Sequence, residues 1–69
     1  MNYTPEILNA ARSLNQDYEN VRRNGGQVSE NWRCIETAKD FAELTKTNYQ
    51  GPMTAWGFAR RIITANGGE

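Results

Sequence analysis

An apolar stripe near the start of the chain most constrains its fold. Its members alternate four and three positions apart: Ile7, Ala11, Leu14, Tyr18 and Val21. In an α-helix of about 3.6 residues per turn, this spacing keeps the side chains within one narrow strip, the surface a helix offers to another helix. The stripe therefore predicts a helix that is covered by other helices or by a second copy of the chain.

Start and stop signals divide the chain into three predicted helices, at 5–23, 30–46 and 52–65. The first has Thr4 as a favourable N-cap and Pro5 at the first helical position. Tyr3 and Leu8 are spaced as a hydrophobic staple. The Gly25-Gly26 pair then ends the helix, because glycine readily adopts the left-handed C′ conformation.

The second predicted helix carries an apolar stripe, and the third carries a wider apolar face. The second follows Ser29 as its N-cap and places these residues on one side: Cys34, Ile35, Ala38, Phe41, Ala42 and Thr45. The third starts at Pro52 and has this apolar set: Ala55, Trp56, Phe58, Ala59, Ile62 and Ile63. Together the three segments predict an all-α fold, a compact bundle of about three helices in one domain spanning 1–69. A homodimer formed through the stripe of the first helix could complete it.

Composition favours a folded domain of marginal stability. Leu, Ile, Val and Phe are fewer than one in five of the residues, a fraction also found in disordered chains. Disorder calls in addition for a high net charge. Here eight positive charges balance eight negative charges, and two tryptophans are present. We therefore expect a small folded domain that gains stability from a partner or a second copy.

The sequence carries no recognisable set of catalytic residues. It lacks histidine, the commonest general base and metal ligand. Cys34 lies on an apolar stripe, where an inert packing role is expected. Glu36 and Asp40 are one turn apart on a charged face, which is typical of solvated surface residues. Because no phosphate-binding loop, dinucleotide-binding turn or metal-ligand spacing occurs either, we predict a protein that is not an enzyme and binds no cofactor or metal.

Several features indicate a cytoplasmic protein without membrane association. No stretch is long and apolar enough to span a bilayer, and the first residues lack the order typical of a signal peptide. One cysteine cannot form an internal disulfide, which fits a reducing compartment. The balanced charge and the sequence pI near 6.2 argue against a chain whose main task is to grip phosphates.

Four residues are the best candidates for binding another protein. By helical angle, Trp32 stands away from its apolar stripe, so it either folds back towards Val28 or is exposed. Tyr49 lies in a predicted loop, and Arg60 and Arg61 lie on the polar face of the third helix. These residue types dominate the energetics of protein interfaces. We therefore predict a non-enzymatic regulator or inhibitor that occludes the surface of a partner protein, the role of many accessory and phage-encoded viral proteins.

DNA binding is the alternative function. The third helix, 52–65, exposes Arg60 and Arg61 and could act as the recognition helix of a helix-turn-helix-like transcriptional regulator. The arginine pair at 22–23 would strengthen this interpretation if the fold brought it close. Against it, the link at 47–51 is longer than the usual turn of three or four residues.

Overall fold

The computed structural model describes residues 4–67, and within that range the chain forms a compact all-α bundle. The helices are α1 (Pro5–Arg23), α2 (Trp32–Thr45) and α3 (Pro52–Ala65), with a short 3-10 turn (Val28–Glu30) before α2. The predicted fold class is confirmed, and the predicted bounds of the first and third helices agree with α1 and α3.

The ends of α1 form as the sequence predicts. Thr4 Oγ1 accepts a hydrogen bond from the Ile7 amide at 3.2 Å, which satisfies one of the free donors of the first turn. At the other end Gly25 has φ +84°, and the Gly26 amide donates to the Val21 carbonyl at 2.8 Å. This is the Schellman pattern, so the double glycine is a helix terminator. The predicted staple involves Tyr3, which lies outside the described residues.

The start of α2 differs from the prediction of a helix from residue 30 capped by Ser29. The N-cap is Asn31, whose Oδ1 accepts a hydrogen bond from the Cys34 amide at 2.9 Å. Asparagine caps as well as serine does, so local chemistry did not decide between them. The tertiary fold decides, because the 3-10 turn places Val28 in the core with 4% of its surface exposed. An α-helix that began at Glu30 would replace the last residue of this 3-10 turn and would disrupt the turn that buries Val28.

The core is formed by most of the predicted apolar faces of the three helices, whereas Ile35 and Thr45 of the second face are only partly buried and lie outside it. Its largest fully buried side chains are Tyr18, Leu14, Ile62 and Cys34. Ile7 and Val21, at the two ends of the α1 stripe, are partly buried. The middle of the stripe is covered by α2 and α3 of the same chain. Ala11, Leu14 and Tyr18, the middle of the homodimer contact predicted on α1, are therefore covered within one chain and have no exposed surface to offer a second copy.

Both α2 and α3 begin beside the C-terminal half of α1. The Tyr18 hydroxyl donates to the Cys34 carbonyl, and the Trp56 indole contacts the Tyr18 ring edge to face at 5.3 Å. The chain must therefore return along α2 before α3 starts. Residues 46–51, which we call the connector, make this return, and Tyr49 in the connector lies with its ring centroid 6.0 Å from Lys39 Nζ.

Between residues 4 and 67, no helix combines the length and the apolar character needed to cross a bilayer.

Candidate functional site

The nucleophilic and acidic side chains are held in structural or solvated positions. Cys34 is buried, and burial raises the pKa of its thiol, which disfavours the reactive thiolate. Glu36 contacts Lys39 on the surface of α2, with 3.9 Å between Oε2 and Nζ. Among residues 4–67, no three His, Cys, Asp or Glu side chains lie close enough together to hold a metal ion.

Trp32 is the most exposed of the large apolar residues. It is the first residue of α2, and 75% of its surface is accessible, so the exposed alternative is the correct one. Met53 is the next most exposed, at 53%. Both residues adjoin the 3-10 turn, because Met53 lines a depression with Val28 and Ser29, and Trp32 follows the turn by two positions. Two of the three large apolar residues that are exposed in the described chain therefore adjoin this turn.

A second surface consists of arginines around the Trp56 indole, which we call the arginine cluster: Arg22, Arg23 and Arg60. The Cζ atoms of Arg22 and Arg60 each lie 5.8 Å from the centroid of the Trp56 ring, within cation–π range. The Trp56 indole N–H is held by Asn15 Oδ1 at 2.8 Å, which fixes the ring.

The arginine cluster carries a net positive charge. Glu19 borders the same depression, yet Lys39–Glu36 is the only ion pair that the described part of the chain contains. The three guanidinium groups thus have no carboxylate oxygen within 4.0 Å among residues 4–67. A cluster of this kind attracts anions, and guanidinium groups suit the geometry of phosphate and carboxylate.

A third surface, the connector groove, lies between the connector, the end of α2 and residues 54–61 of α3. It encloses about 410 Å³ and contains three aromatic rings and two cations: Phe41, Tyr49, Phe58, Lys46 and Arg61. The rings of Phe41 and Phe58 pack edge to face with centroids 5.8 Å apart. Polar groups of the connector, Thr54 and two alanines, Ala42 and Ala55, complete the lining.

The four residues predicted to bind a partner do not form one surface. Tyr49 and Arg61 share the connector groove, Arg60 belongs to the arginine cluster, and Trp32 stands apart at the start of α2. Neighbouring arginines point to different surfaces because consecutive residues on a helix are about 100° apart.

Sequence reasoning missed part of each surface. Met53 was not singled out, and neither was Lys46, whose left-handed backbone (φ 59°) has no sequence signal. The sequence predicts that Arg22 and Arg23 could lie close to Arg60, but whether they do depends on the relative directions of α1 and α3.

No protein-family model, curated protein or solved structure matches this chain.

Proposed function

We propose that the protein is a non-enzymatic regulator that binds another protein and occludes part of its surface, with Trp32 as the anchor. The exposure of Trp32 carries this proposal. Tryptophan is usually mostly buried, whereas here three quarters of its surface contacts solvent. Because indole rings contribute strongly when a partner covers them, an exposed tryptophan on a folded domain is typical of a binding anchor.

The surroundings of Trp32 support the same function. Met53 supplies a second exposed apolar side chain near the 3-10 turn, and methionine adapts its shape to a partner surface. The core does not need Trp32, since it is formed by other residues and leaves no buried polar side-chain atom of residues 4–67 without a partner. We place the protein in the cytoplasm, where a reducing environment suits its single free cysteine.

The test replaces Trp32 with alanine and measures partner capture and stability separately. Immobilised wild-type protein and Trp32→Ala are exposed to lysate of the cells that encode the chain, and retained proteins are quantified by mass spectrometry. An anchor of this type contributes about 2 kcal/mol or more to binding, so capture of the specific partner should fall about thirtyfold or more. Thermal unfolding should change little, because an exposed side chain away from special features affects stability by about 0.5 kcal/mol or less.

Arg12→Ala is the matched control, because Arg12 is also exposed but lies on α1 outside the three surfaces. It should retain the same proteins as the wild type. Equal capture by Trp32→Ala and the wild type would contradict the anchor, and so would a large loss of thermal stability in Trp32→Ala.

Nucleic-acid binding is the second candidate, and the arginine cluster is the observation that favours it. Three arginines without carboxylate partners in the described chain, beside an indole, form a surface suited to phosphates. This surface joins the end of α1 to α3, whereas the sequence interpretation used α3 as the recognition helix of a helix-turn-helix. The connector differs from the short turn of that motif, because it returns along α2.

Salt-dependent binding to random duplex DNA tests the second candidate. A phosphate-binding surface should bind detectably in about 20 mM salt and lose affinity steeply as salt rises. Arg22→Gln and Arg60→Gln should each reduce the salt slope by about one, whereas Arg12→Gln should leave it unchanged. An absence of binding at low salt would remove this function and leave the Trp32 proposal intact.

A further inference from the structure

We propose that the connector groove is a binding site for a small aromatic carboxylate. This inference is independent of the Trp32 anchor, because the groove and Trp32 involve different residues. It assigns Tyr49 and Arg61 to a small-molecule site, whereas the sequence predicted that both residues bind a partner protein.

The size and the apolar lining of the groove determine the size of the ligand and its apolar part. Its volume of about 410 Å³ lies within the range of small-molecule sites, roughly 300–1,000 Å³. Phe41 and Phe58 pack edge to face and line the groove, and Tyr49 lines it from the connector. Aromatic walls of this kind favour a planar apolar ring, which can stack or pack edge to face against them.

The charges around the groove determine the sign of the charge on the ligand. Lys46 and Arg61 are the charged residues among its lining side chains, and Lys39 Nζ lies 6.0 Å from the centroid of the Tyr49 ring. No aspartate or glutamate lines the groove, although the whole chain is neutral. Lys39 is paired with Glu36, so two cations, Lys46 and Arg61, line the cavity and complement an anion. A guanidinium group pairs with a carboxylate through two parallel hydrogen bonds.

The combination of apolar walls and cations selects an amphipathic ligand. A neutral aromatic molecule would bring no counter-charge to Lys46 and Arg61, and an inorganic anion would make no use of the apolar part of the lining. An aromatic ring that carries one carboxylate can use both features at once. The connector completes the groove because its polar residues, among them Asn48 and Gln50, offer further hydrogen-bonding groups.

The experiment titrates three ligands of the same shape into ¹⁵N-labelled protein and follows amide chemical shifts by NMR. The ligands are 2-naphthoate, the neutral 2-naphthylmethanol and the cationic 2-naphthylmethylammonium. We expect 2-naphthoate to shift the amides of residues 46–51 and 54–61, with a dissociation constant on the order of 1 mM or below. The alcohol should bind about fivefold or more weakly, and the cation more weakly still. Equal binding of the three ligands would overturn the proposal, and so would an absence of shifts at millimolar 2-naphthoate.

Two variants and a neighbouring control locate the site. Arg61→Gln and Lys46→Asn should each weaken 2-naphthoate binding about fivefold, and asparagine is chosen because it tolerates the left-handed backbone of Lys46. Arg60→Gln changes the adjacent residue, which belongs to the arginine cluster, and should bind as the wild type does. Equal weakening by Arg60→Gln and Arg61→Gln, or shifts centred on Arg22 and Trp56, would overturn the assignment. If a variant does not fold, the comparison of the three ligands on wild-type protein still decides the question.

Discussion

The two tryptophans show how position on a helix decides the role of a residue. Trp56 lies on the apolar face of α3, where 5% of its surface is exposed and its N–H is bonded to Asn15. Trp32 lies off the apolar stripe of α2 and is exposed. Helical angle alone placed Trp56 on its stripe and Trp32 away from its own. It did not identify Asn15 as the acceptor, because that contact joins residues that are 41 positions apart in the chain.

Tyr18 is a buried residue whose hydroxyl group forms a hydrogen bond that stabilises the fold. Its hydroxyl donates to the Cys34 carbonyl at 2.7 Å, and none of its surface is exposed. We expect Tyr18→Phe to lower the free energy of unfolding at pH 7 by about 1 kcal/mol. In a domain of this size this corresponds to a fall in Tm of about 4–8 °C, measured by calorimetry or circular dichroism. An unchanged Tm would contradict a stabilising role for this hydrogen bond.

The same residue gives the stability of the protein a dependence on alkaline pH. Burial raises the pKa of Tyr18 well above its ordinary value near 10, with smaller contributions from Cys34, Tyr49 and Asp17. Burial also raises the pKa of the Cys34 thiol. Above the ordinary pKa values, the unfolded chain releases protons that the native chain retains, so unfolding becomes more favourable as pH rises. The stabilising contribution of Tyr18 is complete below about pH 9 and that of Cys34 below about pH 8, and each declines as pH rises further.

Measurements of the free energy of unfolding between pH 8 and 11 should distinguish the contribution of Tyr18 from that of Tyr49. The wild type should lose stability steadily as pH rises, and Tyr18→Phe should show a flatter decline, with the remaining slope due to Cys34. Tyr49→Phe is the matched control, since it removes the hydroxyl of a more exposed tyrosine and should leave the slope close to that of the wild type. Identical slopes in Tyr18→Phe and the wild type would show that the buried phenol does not govern alkaline stability.

At the scale of the helices, α1 and α3 were predictable because their signals are local. A cap residue, a proline at the first position and a following glycine act within a few residues of the helix ends. The start of α2 depends on a longer-range contact instead, the burial of Val28. Its end is local, since the Thr47 amide donates to the Ala42 carbonyl, but Lys46 occupies the left-handed position that glycine usually fills, so the sequence carries no signal for it.

The position of the α2 cap can be tested by two alanine substitutions. Asn31→Ala removes the acceptor of the Cys34 amide and should cost about 1 kcal/mol of stability. Ser29→Ala should cost less than about 0.5 kcal/mol, because Ser29 is exposed and lies in the 3-10 turn, outside the cap position. Chemical denaturation of the two variants measures both values. A larger loss in Ser29→Ala than in Asn31→Ala would restore the helix start that the sequence alone suggested.

At the scale of the whole molecule, most of the core was predictable and the candidate surfaces were not. The apolar stripes reveal which side of each helix is buried, whatever the order in which the helices pack. The arginine cluster and the connector groove depend on helix direction, since Arg22 meets Trp56 only if α1 and α3 run in opposite directions. The sequence fits several bundle topologies, so Arg60 and Arg61 could be marked as candidates but not assigned to different surfaces.

The connector is the element that fixes this topology, and its length can be tested directly. Six extended residues span up to about 20 Å, which matches the rise of about 21 Å along the 14 residues of α2. Deletion of Thr47 and Asn48 would shorten the reach to about 14 Å, so α3 could not start beside the C-terminal half of α1 and seat Trp56 against Tyr18. We expect this variant to lose cooperative thermal unfolding.

Insertion of two glycines after Asn48 should cost less than about 1 kcal/mol, because the entropy of loop closure rises slowly with length. A deletion variant as stable as the insertion variant would mean that α3 follows α2 through a tight turn, and both the arginine cluster and the connector groove would then be lost.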